Sequence, residues 1–306
     1  MCIRDSYDTM QEVIGTAGDD ATKEDSLIAH GVLYDEVPLK DNEVDYEKLE
    51  EMIDETVTMV LIQRSKGYST RNSLSIDNIE RICKIVKSKN PNCICFVDNC
   101  YGEFVDSREP LEAGADLIAG SLIKNPGGGI VEAGGYIAGK AKYVDKSANR
   151  LTAPGIGSEG GAMFNQHRLM FQGLFMAPSV VCDAVKGAVL AAKIFEEIGY
   201  DSAPKYNEKR TDIIQNIIFG SPEPLEQFCR TIQSLSPVNG YVTPIPEYIP
   251  GYEDKVIMAG GTFIEGSTIE LSADGPMRAP YVAYMQGGLN YAHVKIALTK
   301  FLDKLI

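Results

Sequence analysis

The first half of the chain alternates short apolar runs with segments of helical periodicity. Apolar runs typical of buried strands occur at residues 58–63, 93–97 and 116–120. Between the first two, residues 75–88 carry isoleucine and valine at helical spacing behind Ser75, which predicts a helix with Ser75 as its N-cap. Because buried strands alternate with helices, the pattern predicts an α/β fold whose mostly parallel sheet is covered on both faces.

The remaining elements are predicted with the same criteria. In the first half, strands are expected at residues 32–39 and 136–138 and a charged helix at 45–54. The second half mixes helices at residues 177–198, 222–233 and 291–305 with strands at 256–259, 262–264 and 268–271. This mixture predicts a smaller α+β domain joined through the long helix. We therefore expect a large domain over residues 1–175 and a C-terminal small domain over residues 176–306.

The start of the chain departs from the pattern. A sheet of this kind usually opens with its own strand and helix, and no such pair is visible before Tyr7. We therefore expect the chain to be truncated at its N-terminus, with residues 1–6 as a leader and the large domain incomplete. The predicted strand at residues 32–39 would then lack its neighbour and expose an apolar edge.

The composition of the chain mainly excludes classes of partner and of binding site. The net charge of -14 over 306 residues argues against nucleic acid or an anionic membrane as a partner. No apolar run reaches the ~20 residues of a membrane helix, and no signal peptide is visible, so we expect a cytoplasmic protein. Cys93 and Cys95 alternate on one strand without a second close pair, so we predict no metal site and reduced, buried cysteines.

Candidate chemistry lies just after the predicted strands. Parallel sheets bind ligands at the carboxyl ends of their strands, so the residues at those ends are the first candidates. They are Arg64 and Ser65, then Asp98 and Asn99, then Ser121 and Lys124.

Asp98 ends the apolar run at residues 93–97. A carboxylate there is costly without a partner, and a pyridinium nitrogen would be such a partner. That ion pair would keep the ring of pyridoxal 5'-phosphate (PLP) protonated, so that it can act as an electron sink. The alternative is that Asp98 caps the next helix or orders a turn, and this motif alone leaves both interpretations open.

Lys124 follows the next predicted strand and precedes Asn-Pro and three glycines. Glycines allow close backbone approach, and a poorly solvated lysine has a lowered pKa that suits Schiff-base formation. Ser121 could donate a hydrogen bond to a phosphate. The alternative is a phosphate-binding turn with an ordinary surface lysine, although the residue order of a nucleotide-binding P-loop is absent.

Taken together, the segments 97–101 and 114–124 resemble the PLP enzymes of cysteine and methionine metabolism. The closer resemblance is to the branch known as the methionine gamma-lyase family or aluminium resistance proteins. It is carried by motifs at residues 62–68, 121–129, 151–157 and 281–288. The resemblance extends over nearly the whole chain from Tyr7 onward and implies the PLP-dependent transferase-like fold, fold type I.

The resemblance also implies roles for individual residues. Lys124 would carry the cofactor as a Schiff base and act as general base at the substrate α-carbon, and Asp98 would pair with the pyridine nitrogen. Ser121 would bind the phosphate, and Arg64 and Ser65 would face the cofactor. The implied reaction is carbon–sulfur elimination from a sulfur amino acid, of the methionine gamma-lyase or cystathionine beta-lyase type, in a homodimer or homotetramer.

The substrate α-carboxylate needs a cation, and the planar fork of arginine suits it. Arg278, expected after the strand at 268–271, is the first candidate and Arg210 the second; either could instead be a surface arginine paired with an acid. Two alternative functions stay open: a non-catalytic protein of this fold in metal or stress tolerance, and an aminotransferase or decarboxylase.

The family also supplies a phosphate-binding turn and a ring-stacking aromatic residue from an earlier segment. Neither is found in this sequence. We therefore expect these 306 residues alone to be poorly soluble and to bind PLP weakly.

Overall fold

The structure, a computed structural model, describes residues 2–3, 8–16, 24–161, 163–249 and 252–305. Its strands are β1 (Cys2–Ile3), β2 (Glu36–Val37), β3 (Leu39–Lys40), β4 (Glu43–Val44), β5 (Met59–Gln63), β6 (Ile94–Asp98), β7 (Leu117–Ser121), β8 (Gly135–Gly139), β9 (Asp201–Ala203), β10 (Ile214–Ile218), β11 (Val256–Ala259), β12 (Ser272–Pro276) and β13 (Val282–Gln286). Its helices are α1 (Asp8–Ile14), α2 (Tyr46–Met52), α3 (Ile76–Lys89), α4 (Ala141–Leu151), α5 (His167–Glu197), α6 (Pro222–Ser234) and α7 (Tyr291–Leu305).

A six-stranded sheet forms the first half, in the order β2-β1-β5-β6-β7-β8. Its first five strands are parallel, and β8 pairs antiparallel with β7 at one edge. The predicted α/β fold with a mostly parallel sheet is therefore confirmed. The register places Asp98 beside Gln63 on one side and Ala119 on the other, so the carboxyl ends of β5, β6 and β7 meet.

Helix α3 shows how local sequence forms these elements. The Ser75 hydroxyl accepts from the backbone N–H of Asn78, and the Asn78 side chain accepts from the backbone N–H of Ser75, which completes a capping box. The apolar residues at helical spacing are buried against the sheet, namely Ile76, Ile79, Ile82, Cys83 and Val86. The predicted helix and its N-cap are confirmed.

The predicted strand at residues 32–39 is mostly wrong. Only the short strands β2 and β3 form there, and Leu33 is 95% exposed. The expectation that no strand precedes Tyr7 is also wrong, because β1 pairs in parallel with both β2 and β5. A two-residue strand carries too little periodicity to be seen in a sequence.

The second half contains a five-stranded antiparallel sheet in the order β11-β12-β13-β10-β9. Helices α5, α6 and α7 pack on it around a cluster of aromatic rings, Phe195, Phe219, Phe228 and Phe301. The strands predicted at residues 262–264 and 268–271 do not form. The buried Glu270 carboxylate accepts from the backbone N–H groups of Phe263 and Ile264, so a side chain takes donors that a neighbouring strand would need.

Helix α5 joins the two halves and begins at His167, ten residues before its predicted start at 177. Pro178 lies inside this helix, next to the predicted start, although proline usually marks a helix boundary. Among the described residues, α5 alone is long and apolar enough to cross a membrane, a property that the sequence pattern did not reveal. Its buried face packs on the second sheet. The division predicted between residues 175 and 176 falls within α5 and stays a prediction.

Candidate active site

A cavity of about 170 Å³ lies at the carboxyl ends of β5 and β6, between the two sheets. The first sheet and its loops contribute Gln63, Ser65, Asp98, Tyr101 and Lys124, among others. The second sheet contributes residues that include Ile214, Asp274, Tyr284 and Gln286. This is the place where a parallel sheet is expected to bind a ligand.

Asp98 both accepts a hydrogen bond from the local backbone and lines the cavity. Its Oδ1 atom accepts a hydrogen bond of 3.1 Å from the backbone N–H of Cys100, which orders the turn after β6. The residue also lines the cavity, as Lys124 does. The two interpretations of Asp98 that the sequence left open are thus compatible with each other.

The backbone after Lys124 is fixed by buried contacts. Residues Asn125–Gly127 form a short 3-10 turn. The Asn125 amide donates to the backbone carbonyls of Tyr101 and Glu103 at 3.0 and 2.9 Å, which ties this turn to the loop after β6. A Cβ atom on Gly127 would lie 1.7 Å from the Leu122 carbonyl oxygen, so glycine is required there.

The Lys124 amine lies inside the cavity, 4.2 Å from the centroid of the Tyr101 ring. Burial lowers the pKa of Lys124, but the neighbouring Tyr101, Cys100 and Asp98 raise it, and the net direction is upward. The expectation of a lowered pKa is therefore wrong, because the neighbours favour the ammonium more strongly than burial opposes it.

Two other predicted cofactor ligands lie elsewhere. Ser65 lines the cavity, but Ser121 is not among its lining residues, and the Ser121 hydroxyl accepts from the backbone N–H of Ile123 at 3.4 Å. Arg64 is fully buried and points away, with Nη1 donating to Asn99 Oδ1 at 2.7 Å. The structure therefore brings Ser65, Asp98 and Lys124 together.

The substrate-binding candidates also lie outside this cavity. Arg278 borders a separate cavity of about 210 Å³ and forms an ion pair of 2.9 Å with Asp254. Tyr68 and Tyr284 line both cavities, so they stand between Arg278 and Lys124. Arg278 follows β12 rather than a strand at 268–271. Arg210 is buried and donates to Gln215 Oε1 at 2.6 Å.

Sequence patterns did not reveal the acidic group on the second-sheet wall. Asp274 is buried in β12, and the Tyr68 hydroxyl donates to its Oδ2 atom at 3.3 Å. Burial raises the pKa of Asp274 to about 7, and the Tyr68 hydrogen bond lowers it only in part. Placing the strand at 268–271 made Asp274 look like a loop residue. A strand at 272–276 would have marked it as a buried acid.

A second polar network lies around the loop that follows β6. The Tyr136 hydroxyl donates to Glu103 Oε1 at 2.8 Å, and the Asn99 amide donates to the Tyr136 oxygen at 3.3 Å. Burial raises the pKa of Glu103 to about 8. Asn99 also accepts from Arg64, so this network holds the loop that follows Asp98.

The fold and the cavity define a class: α/β proteins with a ligand site at the carboxyl ends of a mostly parallel sheet. The structure of metB from Corynebacterium glutamicum shares this fold, with a TM-score of 0.62 and 18% identity over 98% of this chain and 74% of that one. The profile of the methionine gamma-lyase family matches residues 2–306, and the chain belongs to that family. The resemblance stated from the sequence is confirmed.

Individual relatives agree with this assignment. The uncharacterized protein YnbB of Bacillus subtilis (strain 168) is 50% identical over 98% of this chain and 71% of its own length. An uncharacterized 33.9 kDa protein of Lactobacillus delbrueckii subsp. bulgaricus is 49% identical over 98% of this chain and 97% of its own length.

Solved structures are also similar to this chain in fold and in sequence. A carbon-sulfur lyase involved in aluminum resistance from Clostridium novyi NT has a TM-score of 0.93 and 46% identity, covering 100% of this chain and 72% of that one. A Clostridium acetobutylicum protein, provisionally described as a cystathionine beta-lyase involved in aluminum resistance, has a TM-score of 0.94 and 49% identity, covering 100% and 72%. The descriptions of these two structures thus both concern carbon–sulfur lyases.

Proposed function

We propose that this protein is a PLP-dependent carbon–sulfur lyase that acts on a sulfur amino acid. The observation that carries the proposal is that Asp98, at the end of β6, and Lys124, which follows β7, line the same cavity. A buried amine and a carboxylate at the carboxyl ends of a parallel sheet are the two groups that PLP chemistry needs. The relatives described as carbon-sulfur lyase and cystathionine beta-lyase support the reaction type.

The side chains of the cavity fit PLP. Lys124 would hold it through its amine, and Asp98 would hold its ring nitrogen. The carbonyl oxygen of the Gln63 side chain is buried at the cavity and has no hydrogen-bond partner among the described residues. Ser65 and Ser267 line the same cavity. A buried polar oxygen without a partner is costly and is consistent with a site that a polar ligand completes.

The protein groups have separable tasks. When bound, PLP supplies an electron sink for the charge that develops at the substrate α-carbon. Lys124 Nζ moves the proton at that carbon, and its raised pKa means that it carries a proton at neutral pH until a bound ligand changes its surroundings. The Asp98 carboxylate would hold the positive charge of the cofactor ring nitrogen. The Tyr68 and Tyr101 rings line the cavity and limit the entry of water.

The remaining site assignments stay predictions. Arg278 is predicted to bind the substrate α-carboxylate, and this role requires it to leave the ion pair with Asp254. Ser121 and Arg64 are predicted to contact the cofactor, which requires side-chain positions other than the observed ones. Ser65 already lines the cavity, so it is the strongest of these three candidates for a cofactor contact.

We propose a second copy of this chain as a partner. Large apolar side chains are exposed on α5, on the segment before it and at the end of α4, namely Phe171 and Phe175, Phe164, and Leu151. Large apolar side chains that are exposed on one helix are typical of a protein interface. A homodimer or homotetramer would bury them. The cytoplasmic location likewise stays a prediction.

The activity is tested with purified protein supplied with PLP and a panel of sulfur amino acids, with 2-oxo acid release as the measurement. We expect release from at least one thioether amino acid and none from the Lys124→Arg variant. Lys295→Arg, an exposed lysine on α7, is the matched control and should retain activity. Absence of both turnover and visible absorbance in the PLP-treated protein would instead support the non-catalytic alternative.

A further inference from the structure

A closed loop follows β5 and carries part of the cavity wall. The backbone N–H of Leu74 donates to the Arg64 carbonyl at 2.9 Å, so the loop of residues 65–73 begins and ends at the same place. Ser65 and Tyr68 of this loop line the cavity. Compact loops whose ends lie close together are frequently functional. The positions of two cavity residues therefore depend on how this loop is held.

Hydrogen bonds from the second half of the chain hold the middle and the end of the loop. Asn216 Nδ2 donates to the Ser69 carbonyl at 2.9 Å, and Thr211 Oγ1 donates to the Ser73 carbonyl at 3.0 Å. Asn216 belongs to β10, and Thr211 lies in the segment just before this strand. The loop is thus bonded to the second sheet although it starts from a strand of the first sheet.

Lys66 bonds the beginning of the loop to the second sheet. It lies between Ser65 and Gly67, which line the cavity, but its own side chain is buried elsewhere and is only 1% exposed. Its Nζ atom donates to the Ala203 carbonyl at 3.2 Å. Ala203 ends β9, an edge strand of the second sheet. Lys66 is therefore the residue that joins the cavity end of the loop to this sheet.

A lysine at this place is costly for folding. Burial lowers the pKa of Lys66 to about 8, and Asp212 opposes this change while Arg210 and Arg71 add to it. An apolar side chain of similar length would avoid the cost of burying an ammonium group. What Lys66 holds in place therefore explains its presence better than a contribution to stability does.

We propose that Lys66 is a positioning residue, which fixes the loop of residues 65–73 on β9 and thereby sets the positions of Ser65 and Tyr68 in the cavity wall. The proposal rests on the proposed function, because the site that Lys66 organises is the one where cofactor and substrate would bind. Lys66 acts through these two residues and does not line the cavity itself.

The variant Lys66→Met tests this role because it keeps the length of the side chain and removes the hydrogen bond to Ala203. We expect its melting temperature to stay the same or rise, since no charge is buried. We expect the Kd for PLP to rise about tenfold in absorbance titrations, because the cavity wall is no longer held in one position.

Kinetics separate positioning from a loss of folded protein. With S-ethyl-L-cysteine and saturating PLP, we expect Lys66→Met to raise KM about tenfold and to change kcat by less than about twofold. The reason is that Lys124, which moves the proton, lies outside the loop. A loss of folded protein would instead lower the apparent kcat and leave KM unchanged, and that result would overturn the proposal.

Hydrogen–deuterium exchange locates the effect in the loop. Peptides within residues 64–74 should exchange faster in Lys66→Met, and peptides from α3 should not. Thr211→Val removes the hydrogen bond to the Ser73 carbonyl and should loosen the loop in the same way, so it tests the loop if Lys66→Met fails to fold. The matched control is Lys146→Met, which changes an exposed lysine on α4 and should behave like the unmodified protein.

Two further results would overturn the proposal. Unchanged exchange of residues 64–74 in Lys66→Met would show that the other contacts hold the loop without this lysine. Faster exchange with unchanged affinity for PLP and unchanged KM would show that the position of the loop does not matter to the site.

Exchange and PLP titration require no turnover, so they separate failure of the positioning role from failure of the proposed function. If no sulfur amino acid reacts but Lys66→Met loosens the loop and weakens PLP binding, the positioning role stands and the lyase assignment fails. If Lys66→Met and the unmodified protein react with equal KM and kcat, the lyase assignment stands and the positioning role fails. Absence of PLP binding in the unmodified protein would overturn both.

Discussion

At the residue scale, a substitution of Asp98 can remove its charge and keep its hydrogen bond to the backbone. Asparagine at this position keeps an oxygen that can accept from the Cys100 N–H, so the turn after β6 is preserved. It removes the negative charge that would hold the cofactor ring nitrogen. We therefore expect Asp98→Asn to lower kcat by roughly 100-fold or more while the melting temperature changes little. Steady-state kinetics and thermal unfolding measure the two effects.

The matched control for this variant is Asp145→Asn, which changes an exposed acid on α4. It should behave like the unmodified protein in both measurements. Full activity in Asp98→Asn would show that Asp98 only orders the turn. A large drop in melting temperature would show that its charge supports folding.

At the element scale, the turn that follows Lys124 is the most constrained part of the site. A methyl group on Gly127 would collide with the backbone of Leu122, which cannot move without shifting β7. We expect Gly127→Ala to cost about 2 kcal/mol or more of the free energy of unfolding and to weaken PLP binding, because Lys124 precedes the turn directly. Urea unfolding and absorbance titration with PLP measure these losses.

Gly260→Ala is the matched control for the turn. A methyl group added to Gly260 would meet no atom within 4 Å, and the residue has no positive φ angle, so alanine is tolerated there. Equal stability of both alanine variants would mean that the turn adapts and that the glycine is not required.

The exposed face of α5 also belongs to this scale. Phe171 and Phe175 lie one helical turn apart and are 72% and 83% exposed. If a second copy covers them, Phe171→Ser combined with Phe175→Ser should shift the protein toward the monomer in sedimentation velocity. Replacing the exposed charged pair Lys300 and Asp303 on α7 should not change the sedimentation coefficient. A monomeric unmodified protein would contradict the proposed partner.

Some of these elements could be predicted from the sequence and others could not, for physical reasons. Helices α3 and α7 were predicted because one-sided burial leaves a 3.6-residue apolar period. Asp98 and Lys124 were predicted as neighbours because parallel strands end at the same edge of a sheet. Asp274 was missed because the contacts of Glu270 displace β12 from the apolar run that was taken for a strand.

At the scale of the whole molecule, two buried acids make stability depend on pH. Burial raises the pKa of Asp274 from 3.8 to about 7 and that of Glu103 from 4.5 to about 8. Between those limits the folded protein holds protons that the unfolded chain has released. Stability contributed by these groups therefore falls as pH rises from about 4 to about 8.

Asp274→Asn combined with Glu103→Gln removes both titrations. Between pH 5 and pH 8 we expect the free energy of unfolding to fall less in the double variant than in the unmodified protein. The difference between the two falls should be a few kcal/mol at most. Acids with a lowered pKa, such as Asp116, act in the opposite direction. The measurement is therefore the difference in the free energy of unfolding between the two proteins, obtained by urea unfolding at each pH. Parallel pH curves would show that neither acid is protonated in the fold.

The central claim is that Lys124 is the residue to which the cofactor becomes bound. The protein is treated with PLP, reduced with borohydride, digested and analysed by mass spectrometry for the modified peptide. The account predicts a single major modification on the peptide that contains Lys124, and its loss in Lys124→Arg. Stoichiometric modification of another lysine, with Lys124 unmodified, would contradict it.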